Sequence, residues 1–306
     1  MRALAAYIMR GQITAISVVT VCAVLSLLLM PLSWPVSYLS AAGVALVTLV
    51  HGPIEGGKTL VGASVLLALL GLVATGAAGL ALGFVLTLWL PAWLLASVLY
   101  KGHSLALALQ TLLVMALASI LVIYTVVDNP AGWWVDYLMN EVLPIMEKAN
   151  IIERGPGFEQ SLLATASFIT GVLVMMTSWG MMAGLLIARW WQSALYRPGA
   201  FAGEFRALRL GMIVTGVTLA VILLSLFGGP LAELALNLLA VLFGILLVQG
   251  LAVTHALLAH KKAGHVWVVM LYVLLIFTVP YLLLLLAIVG LFDNWIDFRK
   301  RMQAKA

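Results

Sequence analysis

The sequence predicts an all-α fold, a polytopic transmembrane helical bundle of about eight (8–9) spanning helices, and three observations predict it. Of its 306 residues, 64% are hydrophobic and 9% charged, against about 45–50% apolar and about 25% charged usage in soluble domains. Apolar runs of about 17–30 residues fill nearly the whole chain, a length that matches the hydrocarbon depth of a bilayer. Short clusters of charge, glycine and proline divide them. Lipid offers no partners for backbone N–H and C=O groups, so segments of this length must satisfy their own hydrogen bonds as helices.

The first run, 12–31, follows Arg2 and Arg10. That start resembles a secretory signal, but no small-residue cleavage site follows, so the run reads as an uncleaved first helix. The single cysteine, Cys22, lies inside it. It can form no intramolecular disulfide, and Val21 is not the small residue that a lipoprotein-type cleavage needs, so Cys22 reads as a small apolar helix residue. Next come 35–52, flanked by Pro35 and Pro53 and a candidate for not crossing fully, 59–77 after Lys58, and 80–100 closed by Lys101. Then follow 104–127, 161–189 closed by Arg189, 211–228, 231–259 closed by Lys261 and Lys262, and 266–291, which contains Pro280. The chain thus reads as one integral-membrane domain, 1–306, with an external amphipathic segment at about 128–160 and a cytoplasmic interfacial loop at about 190–210.

Orientation follows from Lys and Arg, which accumulate on the cytoplasmic side of membrane proteins. With the N-terminus inside, the turns at Lys58, Lys101, Arg189 to Arg209 and Lys261–Lys262 are all cytoplasmic. The segment 128–160, with Asp128, Asp136, Glu141, Glu147, Glu153 and Glu159 against Lys148 and Arg154, falls outside. Nine crossings would then strand Arg299, Lys300, Arg301 and Lys305 outside. Either the last run breaks at Pro280 into a re-entrant pair, or one earlier run does not cross, or the tail is external; about eight crossings with a cytoplasmic tail satisfies the charge rule best. The location predicted is a membrane crossed many times, with the N-terminus cytoplasmic.

The net charge of +5 does not point to nucleic acid, because the bases are scattered at helix ends rather than gathered on one soluble face. The bilayer and its anionic lipids at the cytoplasmic face are the partners they predict. Gly79-x-x-x-Gly83 and Gly180-x-x-x-Gly184 permit close helix approach, either within the bundle or at a seam with a second copy or another membrane protein. In 135–149, Val135, Leu138, Val142, Met146 and Ala149 recur at helical spacing, as a surface helix or a lid. Phe201, Phe205 and Leu208 form a similar stripe. With Arg189, Trp190, Trp191, Arg197, Arg206 and Arg209 they predict a membrane-surface or partner-docking face.

Polar residues inside spans are the best functional pointers here, because each needs a partner or water. At 100° per residue Glu233, Asn237, Gly244 and His255 fall within about 40° of one another, whereas Gln249 points about 160° from Glu233 and needs a separate partner. Two readings stay open. One is a polar path for a small solute or proton, with Asn237, Glu233, His255 and Gln249 as ligand-binding residues. The other has Glu233 and His255 in interfacial water and Asn237 bonding a neighbouring helix. Under the solute reading Asn237, the deepest, matters most. Asp293 and Asp297 are i,i+4 neighbours and so are Asp297 and Arg301, and an ion pair fits that end better than a cation site. His51, His103, His260 and His265 make no ligand set with Cys22, no catalytic set or phosphate loop is present, and no metal or cofactor is predicted. The pairs Trp133–Trp134 and Trp190–Trp191 fit interfacial belts.

The stretches ARWWQSALYRPGAFAGEFRALRLG, 188–211, and GLFDNWIDFRKR, 290–301, resemble the YybS-like family of bacterial membrane proteins. That likeness implies a multi-pass bacterial cytoplasmic membrane protein of about eight helices and transfers no catalytic residues. More remotely, the early, N-terminal region with Leu-Val-His-Gly-Pro at 49–53 and Leu-Pro-Ala at 90–92 is similar to energy-coupling-factor transporter S-components and to the shape protein MreD. The first likeness implies small-solute binding or transport, the second a membrane scaffold without catalysis. An enzyme ranks last, since no nucleophile or acid–base pair meets at one depth.

Overall fold

A computed structural model of the chain describes residues 1–29, 33–152, 155–261 and 264–303. Glu153, Arg154, Lys262 and Lys305 lie outside the described residues. All regular structure among them is helical. In order these are α1 (Arg2–Ile8), α2 (Gln12–Leu28), α3 (Ser33–His51), α4 (Pro53–Thr75), and α5 (Gly79–Phe84), which passes through a π-helical turn into α6 (Leu90–Gly102). There follow α7 (Leu105–Val126), α8 (Pro130–Tyr137), α9 (Leu143–Lys148), α10 (Phe158–Tyr196), α11 (Ala200–Arg206), α12 (Gly211–Leu224) and α13 (Gly229–His260). The chain closes with α14 (His265–Phe277), α15 (Tyr281–Ile296) and α16 (Phe298–Gln303).

Local chemistry sets the boundaries. Ser104 caps α7 by accepting the Leu107 N–H at 3.2 Å, and Asn129 caps α8 by accepting the Gly132 N–H at 2.9 Å, each filling a donor left free at a helix start. Prolines stand in the first turns of α4, α8 and α13, where their missing N–H costs nothing. α4 stops at Gly76, whose φ of 71° is left-handed.

Among the described residues six helices are long and apolar enough to cross a membrane, and α11 with α12, bent by 45°, makes a seventh by the same measure. α2, with 17 residues, is shorter. The run 35–52, a candidate for not crossing, is α3, 19 residues long and among those six. Its modest hydropathy has a packing cause: the stretch Ser40–Leu49 is buried throughout among α2, α4, α6 and α10, so it need not be greasy toward lipid.

Four side chain to backbone or hydroxyl bonds gather one end of the bundle. Gln12 Nε2 donates to Thr59 Oγ1 at 3.0 Å and Gln192 Nε2 to the Leu49 carbonyl at 2.7 Å. Gln110 Nε2 donates to the Leu210 carbonyl at 2.7 Å, and Arg299 Nη1 to that of Leu208 at 2.9 Å. The starts of α2, α4, α7 and α12, the end of α10 and the α15–α16 junction therefore share one end. Lys58, Lys101, Arg189, Arg209 and Arg299 stand there, and it is called the basic end below. α8 and α9 cover the opposite end, where Trp134 Nε1 donates to Thr170 Oγ1 at 2.8 Å.

The run 266–291 is two helices, broken at Thr278–Pro280. α14 leaves the basic end beside His255, with the Tyr272 ring 5.9 Å from its imidazole. α15 returns to that end, where Arg209 Nη2 donates to the Asn294 carbonyl at 2.8 Å. Its packing on α13 is very close, since a Cβ on Gly250 would overlap the Leu286 carbonyl and one on Gly290 that of Leu246. The last run is therefore a helical hairpin that begins and ends at the basic end, with the break at Pro280 that one of the charge-rule alternatives required.

Glycine spacing sorts likewise. On α10, Gly180 lies against Tyr38 and Gly184 against Ala41 of α3, an intramolecular seam. Gly79 and Gly83 have no atom near enough to meet an added Cβ. α8 and α9 form the amphipathic segment expected over 135–149, but the π-helical turn Leu138–Val142 shifts its register. Leu143 becomes the buried residue and Ala149 is exposed.

Candidate functional site

The shared face on α13 exists, and α10 and α7 cover it. Asn237 is fully buried. Its Oδ1 accepts the Gly171 N–H at 2.6 Å, and its Nδ2 is shared among the Tyr124 hydroxyl at 2.8 Å, the Ser167 carbonyl at 2.7 Å and the Glu233 carbonyl at 2.8 Å. Glu233 Oε1 accepts from Tyr124 at 2.9 Å. Further along, the Gly244 carbonyl accepts Trp179 Nε1 at 3.1 Å. The hydrogen-bonding capacity of Asn237 is thus spent inside the bundle rather than on a cavity.

Gln249 finds its separate partner on the far side of α13. Fully buried, it accepts the Leu210 N–H at 2.8 Å and donates to Asp293 Oδ2 at 3.2 Å and Asn294 Oδ1 at 3.1 Å. Asn294 Nδ2 reaches Thr215 Oγ1 at 2.8 Å, and Asp293 pairs with Arg299. Asp297 pairs with Arg209 at 2.9 Å and Lys300 at 3.6 Å, not with the Arg301 side chain that its spacing suggested. Burial pushes the Asp297 carboxyl up, but the Lys300 N–H and the charges of Arg209, Lys300 and Arg299 outweigh it and hold the group below its ordinary value. These bonds clamp α15 to the loop before α12.

The expected interfacial loop needs three corrections. Residues 190–196 are still α10, which continues to Tyr196 and stops before Arg197-Pro198-Gly199. Trp191 is fully buried whereas Trp190 is 43% exposed; adjacent residues on a helix point about 100° apart, so both rings cannot face outward. Trp191 Nε1 has no hydrogen-bond partner among the described residues. Arg209 and the buried Leu208 face the bundle. Arg189 is paired with Glu204 at 2.7 Å, and Arg197 is exposed.

What remains of that face lines a groove of about 860 Å³ at the basic end, between α10, α11, α13 and α14. Leu186, Ile187, Leu258 and Val268 supply aliphatic walls, Trp190, Phe201 and Phe205 aromatic ones, and Arg206, His255 and Tyr272 its polar groups. The His255 imidazole meets the Phe205 ring edge-on at 5.7 Å, and its Nδ1 lies 2.8 Å from the Leu251 carbonyl. Nε2 is left toward Tyr272, 3.5 Å away. A cleft of about 480 Å³ at the opposite end is lined by Trp34, Tyr38, Gly79 and Gly83. Its Ser26, Ser37, Thr87 and Thr177 hydroxyls turn back onto carbonyls of their own helices, so they do not converge on a ligand.

A family model described as "Predicted membrane protein (DUF2232)" matches residues 53–294, from the start of α4 to the clamp at Asn294. The chain belongs to the DUF2232 family. No curated protein and no solved structure matches it. The region shared with DUF2232 holds the Asn237 cluster and all the groove residues named above, while α1 to α3 precede it.

Sequence reasoning placed His255 and Phe205 on separate elements and did not join them. Tyr124, Trp179 and Tyr272 drew no attention, because an aromatic residue in an apolar run gives no sign of its partner. One signal was available: His255 follows Gln249 on a helix too long to end at the membrane core, about 48 Å for the 32 residues of α13.

Proposed function

We propose that this DUF2232 membrane protein binds a small apolar or amphiphilic solute in the groove at its basic end, as a step of uptake or transport across the membrane. The observation that carries the reading is the groove itself. At about 860 Å³ it lies within the range of ligand sites, roughly 300–1,000 Å³, and has their make-up, mostly apolar walls with few polar groups. Of the residues expected to bind a solute, His255 lines it, Asn237 and Glu233 tie α13 to α10 and α7, and Gln249 ties α13 to α15. We further infer a bacterial cytoplasmic membrane, YybS-like membership, and a cytoplasmic basic end with both termini there, in keeping with the charge rule.

Binding of a solvatochromic naphthalene probe to the full chain in detergent tests the reading. Leu258→Trp, which fills the groove, is expected to abolish the blue-shifted emission, and Gly83→Ala, far from it, to leave it intact. Unchanged probe binding in Leu258→Trp overturns the solute reading and favours a scaffold, for which the exposed faces of α4 and α14 would serve.

A further inference from the structure

We propose that the ligand of this groove is an anionic membrane lipid, held with its chain between the aromatic walls and its phosphate over Arg206 in an adjoining basic cleft. The inference rests on the solute-binding reading above and names the chemistry that the site selects.

A second cleft, of about 530 Å³, meets the groove along Arg206 and Ala259. Its other lining includes Gly203, His260 and Arg299. The two clefts differ in kind: one is walled by Leu, Ile, Val and aromatic rings, the other presents Arg206 and His260 beside the already paired Arg299, and no carboxylate lines it. An apolar lobe joined to a basic lobe matches a molecule with a hydrocarbon chain and an anionic head.

Arg206 is the decisive residue. Arg189, Arg209 and Arg299 are neutralised by Glu204, Asp297 and Asp293. Among the described residues Arg206 has no carboxylate partner, and its Nε donates to the Ala202 carbonyl at 2.8 Å. That bond fixes the side chain and leaves its Nη donors for an anion, in the fork geometry that suits phosphate. Arg299, donating to the Arg206 and Leu208 carbonyls at 2.9 Å, holds the backbone of this loop in place. The groove also has a lipid-facing wall. Val268 and Tyr272 line it while Val269 and Val273, on the same helix α14, are 60% and 44% exposed, so a chain can enter between α13 and α14 directly from the bilayer.

Native mass spectrometry of the full chain tests this, with phosphatidylglycerol and phosphatidylcholine of the same acyl chains as probes and inorganic phosphate as competitor. Wild type is expected to retain phosphatidylglycerol about tenfold more tightly, because both lipids carry the phosphate but the choline cation of phosphatidylcholine offsets that charge and is repelled by Arg206. Arg206→Gln with His260→Gln, both at accessible side chains, is expected to erase that preference by lowering phosphatidylglycerol retention to that of phosphatidylcholine. Equal retention of the two lipids by wild type, both lost in Leu258→Trp, would overturn the lipid-anion assignment and leave the solute reading standing. Displacement of phosphatidylglycerol by equimolar inorganic phosphate would assign the cleft to a free anion instead. Leu258→Trp behaving as wild type toward both lipids and the probe would remove both readings together.

Discussion

Asn237 and Gly171 join α13 to α10 by a side chain to backbone bond, the Gly171 N–H donating to Asn237 Oδ1 at 2.6 Å. The same amide donates to the Ser167 carbonyl at 2.7 Å, so it reads both members of one i, i+4 rung of α10. Gly171 is required for this approach, since a Cβ there would stand 2.5 Å from the Asn237 backbone. The side chain that depth alone marks as functional is thus engaged at both its oxygen and its nitrogen inside the bundle.

Asn237→Leu is expected to destabilise the protein and leave groove binding within about twofold of wild type. Interhelical hydrogen bonds in membranes average about 0.6 kcal/mol each, and Asn237 makes three, to Gly171, Tyr124 and Ser167. The loss is about 2 kcal/mol, read as a lower unfolding temperature in detergent. Normal stability with lost probe binding would return Asn237 to the site.

The polar face of α13 was legible because a helix sorts residues by angle, and Glu233, Asn237, Gly244 and His255 differ by positions that share one side. Its partners were not, because Gly171 and Tyr124 lie 66 and 113 residues away and an apolar sequence gives no pairing code. The groove was hidden for a related reason. Phe201 and Phe205 announce an apolar-facing side, but lipid and a folded-back α14 satisfy that side equally well. The burial of Trp191 beside the exposed Trp190 needed only the 100° step, which treating the pair as one belt overlooked.

Gly250 and Gly290 are expected to tolerate no side chain. Alanine at either meets a carbonyl of the facing helix, Leu286 or Leu246, where backbone cannot yield as a flexible side chain does. Overpacking of this kind costs about 1–3 kcal/mol, more than the roughly 1 kcal/mol that alanine gains over glycine in a helix. Gly83→Ala, with no neighbour to meet, should be neutral or stabilising. Thermal unfolding of the three variants decides it, and a stable Gly290→Ala protein would contradict the α13–α15 packing.

Asp297 should make stability depend on pH at the acid end. Its carboxyl titrates below the ordinary value of 3.8, so the folded state favours the ionised form. The contribution is fully present above that ordinary value and is lost as pH falls through the lowered one. Asp297→Asn keeps a residue that accepts the left-handed backbone at this position, φ 47°, and removes the charge facing Arg209 and Lys300. The stability gap between wild type and this variant should be constant at pH 5 and above and close below about pH 4. A gap that stays constant from pH 5 down to acid unfolding would mean the Arg209 contact does not depend on ionisation.

Topology gives the last prediction, because the bond from Arg299 to the Leu208 carbonyl, 2.9 Å, obliges the tail and the α11 region to lie on one side. In a Cys22→Ser background, cysteine is placed at Ile145, 69% exposed, and at Ala200 and Arg301, both exposed. An impermeant reagent added to intact cells should label position 145 and spare 200 and 301, since Lys and Arg gather at the basic end and the cytoplasm retains them. Labelling at 200 and 301 without 145 inverts the orientation but keeps the fold. Labelling that separates 200 from 301 contradicts the fold itself, because α14 and α15 would then cross in sequence instead of turning back at Thr278–Pro280.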